Sequence, residues 1–267
     1  KCENVARVMD TGALASGEPF MVMELLEGQD LAAVLRVRGK LPVVEAVDFV
    51  VQACEAIGVA HVANIVHRDV KPANLFLSRA VDGTPIVKVL DFGISKLREV
   101  DSKDQAMTQT LSVIGSPLYM SPEQMERPRD ADERSDIWSL GVILYELITG
   151  KPPFEAATMP MLCARICTSP PIPFSDREVE LPADLASAVL RCLEKSPSAR
   201  FADVAELASA IAPFGYASTR VKAARIERIL RHDAQSPDAQ LPSDERAPDS
   251  TGPRRMEIGR ASCRERV

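Results

Sequence analysis

Aromatic residues are few in this chain, and long apolar runs are missing. Aromatics make up 4% of 267 residues, too few for a stacking platform on single-stranded nucleic acid. Cationic excess is also missing: 32 Lys and Arg stand against 38 Asp and Glu, a formal net charge of −6. Nucleic-acid binding by bulk attraction is thereby excluded. No apolar stretch reaches the roughly 18 residues that would cross a bilayer, and no signal-peptide pattern leads the chain, so a cytoplasmic location is the default expectation. The six cysteines are scattered through a chain too large to need disulfide staples. Only Cys163 and Cys167 have helical spacing, and no His or second Cys pair completes a zinc set around them.

What is present reads as one main domain with a tail, long enough to bury a sizeable core. Residues 4–9 and 19–25 read as strands, with Thr11-Gly12 and Ser16-Gly17 supplying the turn chemistry. A helix is expected over 30–38, broken by Gly39-Lys40-Leu41-Pro42. A longer one covers 43–63, where Val47, Val50, Val51, Cys54, Ile57 and Gly58 recur on one face. Short apolar runs at 65–66, 75–77 and 86–90 then read as small strands that present loop residues at their ends. Residues 137–148 are apolar on nearly every side, as expected of a helix at the centre of a domain. Gly150-Lys151-Pro152-Pro153 stops that helix. Further helices fit 159–168, 183–194 and 204–212, the last with Asp203 as N-cap. Residues 221–232 read as a charged helix with little to pack against, and 234–253, rich in Pro, Asp and Ser, as disordered. The Arg-rich end from Glu257 resembles translated adapter sequence and is set aside. The class is α+β, mostly helical.

Two stretches carry the chemistry. His67-Arg68-Asp69-Val70-Lys71-Pro72-Ala73-Asn74-Leu75 packs acid, base and amide between apolar runs. Asp91-Phe92-Gly93 follows the apolar run 86–90 directly. Together they resemble the catalytic loop and metal-binding triplet of the bacterial, eukaryotic-like serine/threonine protein kinases. The resemblance implies a protein-kinase-like fold, chiefly its helical C-lobe, with ATP and Mg2+ as cofactors. It implies that Asp69 orients a Ser or Thr hydroxyl and accepts its proton, and that Lys71 stabilises charge on the moving phosphoryl. Asn74 and Asp91 become the magnesium ligands, Gly93 the turn after them, and His67 a structural residue packed near Phe92.

The likeness continues downstream. Ser121-Pro122-Glu123 stands where the family has Ala-Pro-Glu, implying a buried salt bridge between Glu123 and Arg200. Asp136, opening the apolar helix, resembles the residue that holds the backbone of the catalytic loop. The stretch between Asp91 and Glu123 resembles an activation segment, and Arg68 before Asp69 marks kinases whose segment is ordered by phosphorylation. Phosphate on Thr108 or Thr110 would bond Arg68 and Lys96, and Ser116 matches the residue that bonds Asp69 and Lys71. Upstream, the stretch Phe20 to Asp30 resembles the strand and hinge that hold adenine. There Met23 is the gatekeeper, the Glu24 carbonyl and Leu26 amide read the base, Asp30 bonds the ribose, and Phe76 forms the floor. The partners implied are proteins with Ser or Thr acceptors and a second kinase copy acting on the activation segment.

The pattern is also broken. Gly12 and Gly17 do not make the Gly-x-Gly-x-x-Gly spacing, and neither a third-strand lysine to grip the phosphates nor a helix glutamate to pair with that lysine is assignable. Residues 1–26 match the fourth and fifth strands of the family's N-lobe and its hinge, residues 27–213 its C-lobe, and 214–267 a charged helix and tail. Two readings follow: the downstream part of a kinase, or a non-catalytic scaffold that binds a protein partner. The intact set of Asp69, Lys71, Asn74 and Asp91 favours the first, and the activation segment argues against a metabolite kinase. Because positioning of the phosphates is most of this catalysis, this polypeptide by itself is expected to turn over negligibly.

Overall fold

The computed structural model describes residues 2–80, 82–91 and 117–234. Phe92, Gly93, Lys96, Thr108, Thr110 and Ser116 lie outside them. Two small antiparallel sheets occur among the described residues, and the rest of the fold is mainly helical.

Strands β1 (Val8–Ala13) and β2 (Pro19–Met23) form a hairpin with Val8 opposite Met23. Apart from half-buried Met23, its large apolar side chains remain exposed, from 41% at Phe20 to 62% at Met9. The expected strand over 4–9 is therefore displaced. Asn4 to Ala6 instead run beside β5 (Pro85–Val89), the Asn4 carbonyl accepting from Val89 N at 2.7 Å. The second sheet runs β3 (Gly28–Asp30), β4 (Leu75–Arg79), β5. β3 has three residues and no apolar alternation, so nothing in the sequence announced it.

Helix α1 (Leu31–Arg38) starts where Asp30 accepts from Ala33 N at 2.7 Å. α2 (Val43–Val62) is buried along most of its length. Asn64, with φ 56°, ends the turn that leaves it. Residues 65 and 66 form no strand and lead directly to the His67 loop. α3 (Pro122–Glu126) opens with a capping box between Ser121 and Gln124. α4 (Arg134–Thr149) is the centre of the core: Ile137, Trp138, Leu140, Ile143, Leu144 and Leu147 are each 0% exposed. Trp138 stacks on Phe154 with centroids 5.7 Å apart. α4 ends at left-handed Gly150, a backbone position suited to a residue without Cβ. α5 (Met159–Thr168), α6 (Ala183–Cys192) and α7 (Val204–Ile211) follow, with Asp203 capping α7 through Ala205 N and Glu206 N.

The last described helix, α8 (Ala217–Ala234), corrects one expectation. It packs on α2. Thr219, Ala223 and Ile226 are buried at 0%, 3% and 0% exposure, and Leu230 packs against the same core. A polar seam reinforces the contact. Asp48 of α2 accepts from Thr219 Oγ1 at 2.6 Å and from Lys222 Nζ at 2.8 Å, and Arg225 stands 3.2 Å from Glu55. A thin stripe of small residues, Thr and Ile lies hidden among arginines, which is why the helix read as unpartnered. No described helix is long and apolar enough to cross a membrane.

Candidate active site

The site is built outward from Asp136, fully buried in the first turn of α4. Its Oδ1 accepts from Arg68 N at 2.9 Å, and its Oδ2 from His67 N at 2.9 Å and His61 Nε2 at 2.8 Å. One carboxylate thus fixes two successive amides of the loop. His61, at the end of α2, has no partner for its buried Nδ1 among the described residues, so the proton sits on Nε2 and points at Asp136. Arg68 holds φ 62° and Asp91 φ 50°. Left-handed residues with side chains cost on the order of 1–3 kcal/mol and persist where surroundings impose them.

The side chains of the His67 to Leu75 loop converge. Asp69 N donates to His67 Nδ1 at 3.3 Å, which leaves the ring's proton on Nε2 for Leu90 O at 3.0 Å. Asp69 Oδ2 accepts from Lys71 Nζ at 2.7 Å and from Asn74 Nδ2 at 3.2 Å. Asn74 Nδ2 also donates to Asp69 O at 2.8 Å. Both bonds use the amide nitrogen, which turns the Asn74 oxygen away from Asp69. Leu90 N donates to Asn74 O at 2.9 Å and so brings exposed Asp91 next to the loop. Asp69 and Lys71 are 23% and 26% exposed and line one cleft with Tyr119 and Ser139.

Behind this cleft, Glu123 meets Arg200, whose Nη1 and Nη2 lie 2.7 and 2.8 Å from its two oxygens. Burial pushes the Glu123 carboxyl up, but the bonds and charge of Arg200 outweigh it, leaving the group below the ordinary carboxylate range. Ser139 Oγ donates to Tyr119 O at 2.7 Å, and the Tyr119 hydroxyl donates to Glu146 at 2.7 Å. Burial raises the Glu146 carboxyl.

The residues singled out for adenine lie at the end of β2, in the segment that joins it to β3, at the end of β3 and on β4. Met23 ends β2, half-buried, and Leu26 follows it, also half-buried. Glu24 Oε1 accepts from Lys88 Nζ at 2.8 Å and Arg7 N at 2.9 Å, and the Lys88 bond holds its carboxyl below the usual range. Phe76 pairs across the sheet with Asp30 and Lys88. Asp30 spends Oδ1 on capping α1. Sequence reasoning passed over two supports of the loop: His61, which carried no local signal, and Gln124, whose spacing from Ser121 was readable as a cap. Gln124 Nε2 donates to Arg68 O at 2.9 Å.

Comparison with known proteins agrees with this geometry. A protein kinase domain family matches residues 1–210. The chain is 38% identical over 239 residues to the serine/threonine-protein kinase PknB of Mycobacterium leprae, covering 88% of this chain and 34% of that protein. It is 39% identical over 206 residues to PknB of Mycobacterium tuberculosis (strain H37Rv), covering 76% and 32%. To a probable serine/threonine-protein kinase PknB of Corynebacterium glutamicum it is 39% identical over 213 residues, covering 77% and 32%. The chain spans about a third of the length of these curated relatives. With this match over most of its length, the chain belongs to the protein kinase domain family.

Proposed function

We propose that the chain carries the catalytic loop and substrate lobe of a kinase that transfers the γ-phosphoryl of ATP to Ser or Thr hydroxyls of proteins. The observation that carries this reading is the Asp69 carboxylate. It is held by Lys71 and Asn74 at the mouth of a cleft while buried Asp136 fixes the backbone before it. In that place Asp69 orients the acceptor hydroxyl and takes its proton, and the Lys71 ammonium offsets charge on the transferred group.

Asn74 and Asp91 suit magnesium. They offer hard oxygens, and this ion is ordinarily held by one or two protein groups together with water and phosphate. Among the described residues no cluster of three His, Cys, Asp or Glu forms a rival metal site. When bound, the metal nucleotide supplies the phosphoryl group and neutralises its charge. On the adenine side, the Glu24 carbonyl, Leu26 amide, Met23 and Phe76 are assigned to the base, and the Asp30 oxygen not used in capping to the ribose. Residues 1–26 take the role of N-lobe strands and hinge, 27–213 that of the C-lobe.

Regulation follows the same chemistry. Among the described residues Arg68 Nε is buried without a hydrogen-bond partner, and Arg68 Nη2 reaches Ala131 O at 3.2 Å. A phosphate on Thr108 or Thr110, placed there by a second copy, would supply the missing acceptor. Phe92 keeps its proposed place near His67, Gly93 its role in the turn after the metal ligand, and Ser116 its bonds to Asp69 and Lys71.

The test is phosphoryl transfer from radiolabelled ATP to a protein acceptor, using a fusion that places a Gly-rich loop and its lysine ahead of Lys1. Asp69→Asn is expected to lower kcat by roughly 10²–10⁴-fold. Equal rates in parent and variant would overturn the proposal. The chain without the fusion is expected to transfer negligibly.

A further inference from the structure

Arg68 is the most constrained residue of the catalytic loop. Its φ of 62° is disfavoured for any residue with a Cβ, and both of its peptide groups are restrained by side chains from other elements. On one side Asp136 Oδ1 accepts from its N–H at 2.9 Å. On the other, Gln124 Nε2 donates to its C=O at 2.9 Å.

The orientation of the Gln124 amide is fixed by its surroundings. The side chain is buried, at 8% exposure. Its oxygen accepts from Ser121 N and Ser121 Oγ, each at 3.1 Å. A backbone N–H can only donate, so the amide oxygen must face Ser121 and the NH2 group must face Arg68. One side chain therefore closes the cap of α3 and clamps the catalytic loop.

The clamp acts on Asp69. The Arg68 carbonyl and the Asp69 N–H belong to one planar peptide unit. Another restraint on that unit is the 3.3 Å bond from Asp69 N to His67 Nδ1, longer than the Gln124 bond. We propose that Gln124 is a positioning residue for Asp69: by holding the Arg68 carbonyl it sets the peptide plane that aims the carboxylate at Lys71 and Asn74. Glu123, next in sequence and tied to Arg200, anchors α3 and so keeps Gln124 in place. The consequence for turnover rests on the kinase reading; the clamp itself does not.

Gln124→Glu in this chain separates the two functions of the side chain. A carboxylate at this position still closes the capping box with Ser121, but when ionised it cannot donate to Arg68. At neutral pH the Asp69 amide is expected to exchange with deuterium about ten-fold faster than in the parent, the size of one lost hydrogen bond, while amides of α2 and α4 stay protected. Once the pH is low enough to protonate the introduced carboxyl, it donates again, and the ratio of variant to parent exchange at Asp69, both measured at that pH, falls back towards one. Gln124→Leu should lose protection of Asp69 at every pH. Unchanged Asp69 exchange in the Gln124→Glu variant at neutral pH would overturn the clamp, as would equal acceleration throughout the core or a variant-to-parent ratio that stays about ten-fold in acid. In the fusion used for phosphoryl transfer, the same variant should lower kcat about ten-fold at neutral pH with KM for ATP unchanged. A parent fusion that transfers nothing would count against the kinase reading and leave the exchange result standing.

Discussion

Arg200 reaches back across 77 residues to Glu123, its two terminal nitrogens 2.7 and 2.8 Å from the two carboxylate oxygens. The arginine side chain is fully buried and that of Glu123 is 16% exposed. The guanidinium also donates to Arg134 O and Glu194 O, each at 2.9 Å, and lies 5.0 Å from the Trp138 ring centroid. Arg200→Met keeps much of the volume but leaves Glu123 without its cation. Breaking one side of a buried pair costs about 3–5 kcal/mol, and urea unfolding of this chain should show a loss of that size. A loss below about 1 kcal/mol would mean that the pair behaves as a surface bridge.

The same pair sets a pH dependence. The Glu123 carboxyl lies below its ordinary value of 4.5 in the folded chain. A lowered acid contributes stability that is fully present above the unfolded pKa and is lost as pH falls through the folded one. Unfolding free energy should therefore drop as the buffer is taken below about pH 4.5. In Arg200→Met that part of the slope should be lost or reversed, because burial, which pushes the Glu123 carboxyl up, is then no longer outweighed by the arginine. An identical acid limb in parent and variant would assign the acid loss to other carboxylates.

Much of this arrangement was legible because its signals are local. The apolar run 137–148 lies wholly within α4 and marks its centre, and the spacing of Asp69, Lys71 and Asn74 within one loop required no knowledge of distant contacts. Other parts depend on groups far apart in sequence. His61 meets Asp136 across 75 positions, and a lone histidine ending a helix carries no mark of its partner. Gln124 stands three residues after Ser121, a spacing that permits a cap, but nothing local marks its bond to Arg68, 56 residues away. Asn4 read as the start of a strand, yet its side chain is buried and bonded to Gln52 and to the carbonyl of Val87. Polar residues buried by long-range bonds look in sequence like ordinary surface residues.

The docking of α8 gives a separate test. Ile226 is fully buried between α8 and α2, and Val221, five residues earlier on the same helix, is 68% exposed. Ile226→Ala should destabilise the chain by about 2–5 kcal/mol, as for other buried Ile truncations. Val221→Ala should fall within about 0.5 kcal/mol of the parent. If both substitutions are silent in urea titrations, α8 does not hold to α2 in solution.

Gly141 tests the packing of α4 against α6 at a single atom. A Cβ added there would overlap the Cβ of Cys192 and come within 3.4 Å of its sulfur. Both residues lie on buried faces of their helices, so neither backbone can retreat without moving the core. Gly141→Ala should therefore destabilise by about 1–3 kcal/mol, although alanine is intrinsically the better helix former by about 1 kcal/mol. The second substitution identifies the cause. Cys192→Ala retains the clashing Cβ and should not rescue Gly141→Ala. Cys192→Gly removes it, and the double mutant should recover most of the loss relative to Cys192→Gly alone. A double-mutant cycle measured by urea unfolding should thus show favourable coupling with Cys192→Gly and almost none with Cys192→Ala. Equal coupling in both cycles would place the strain on the sulfur, and Gly141 would then be required for a contact weaker than the Cβ overlap.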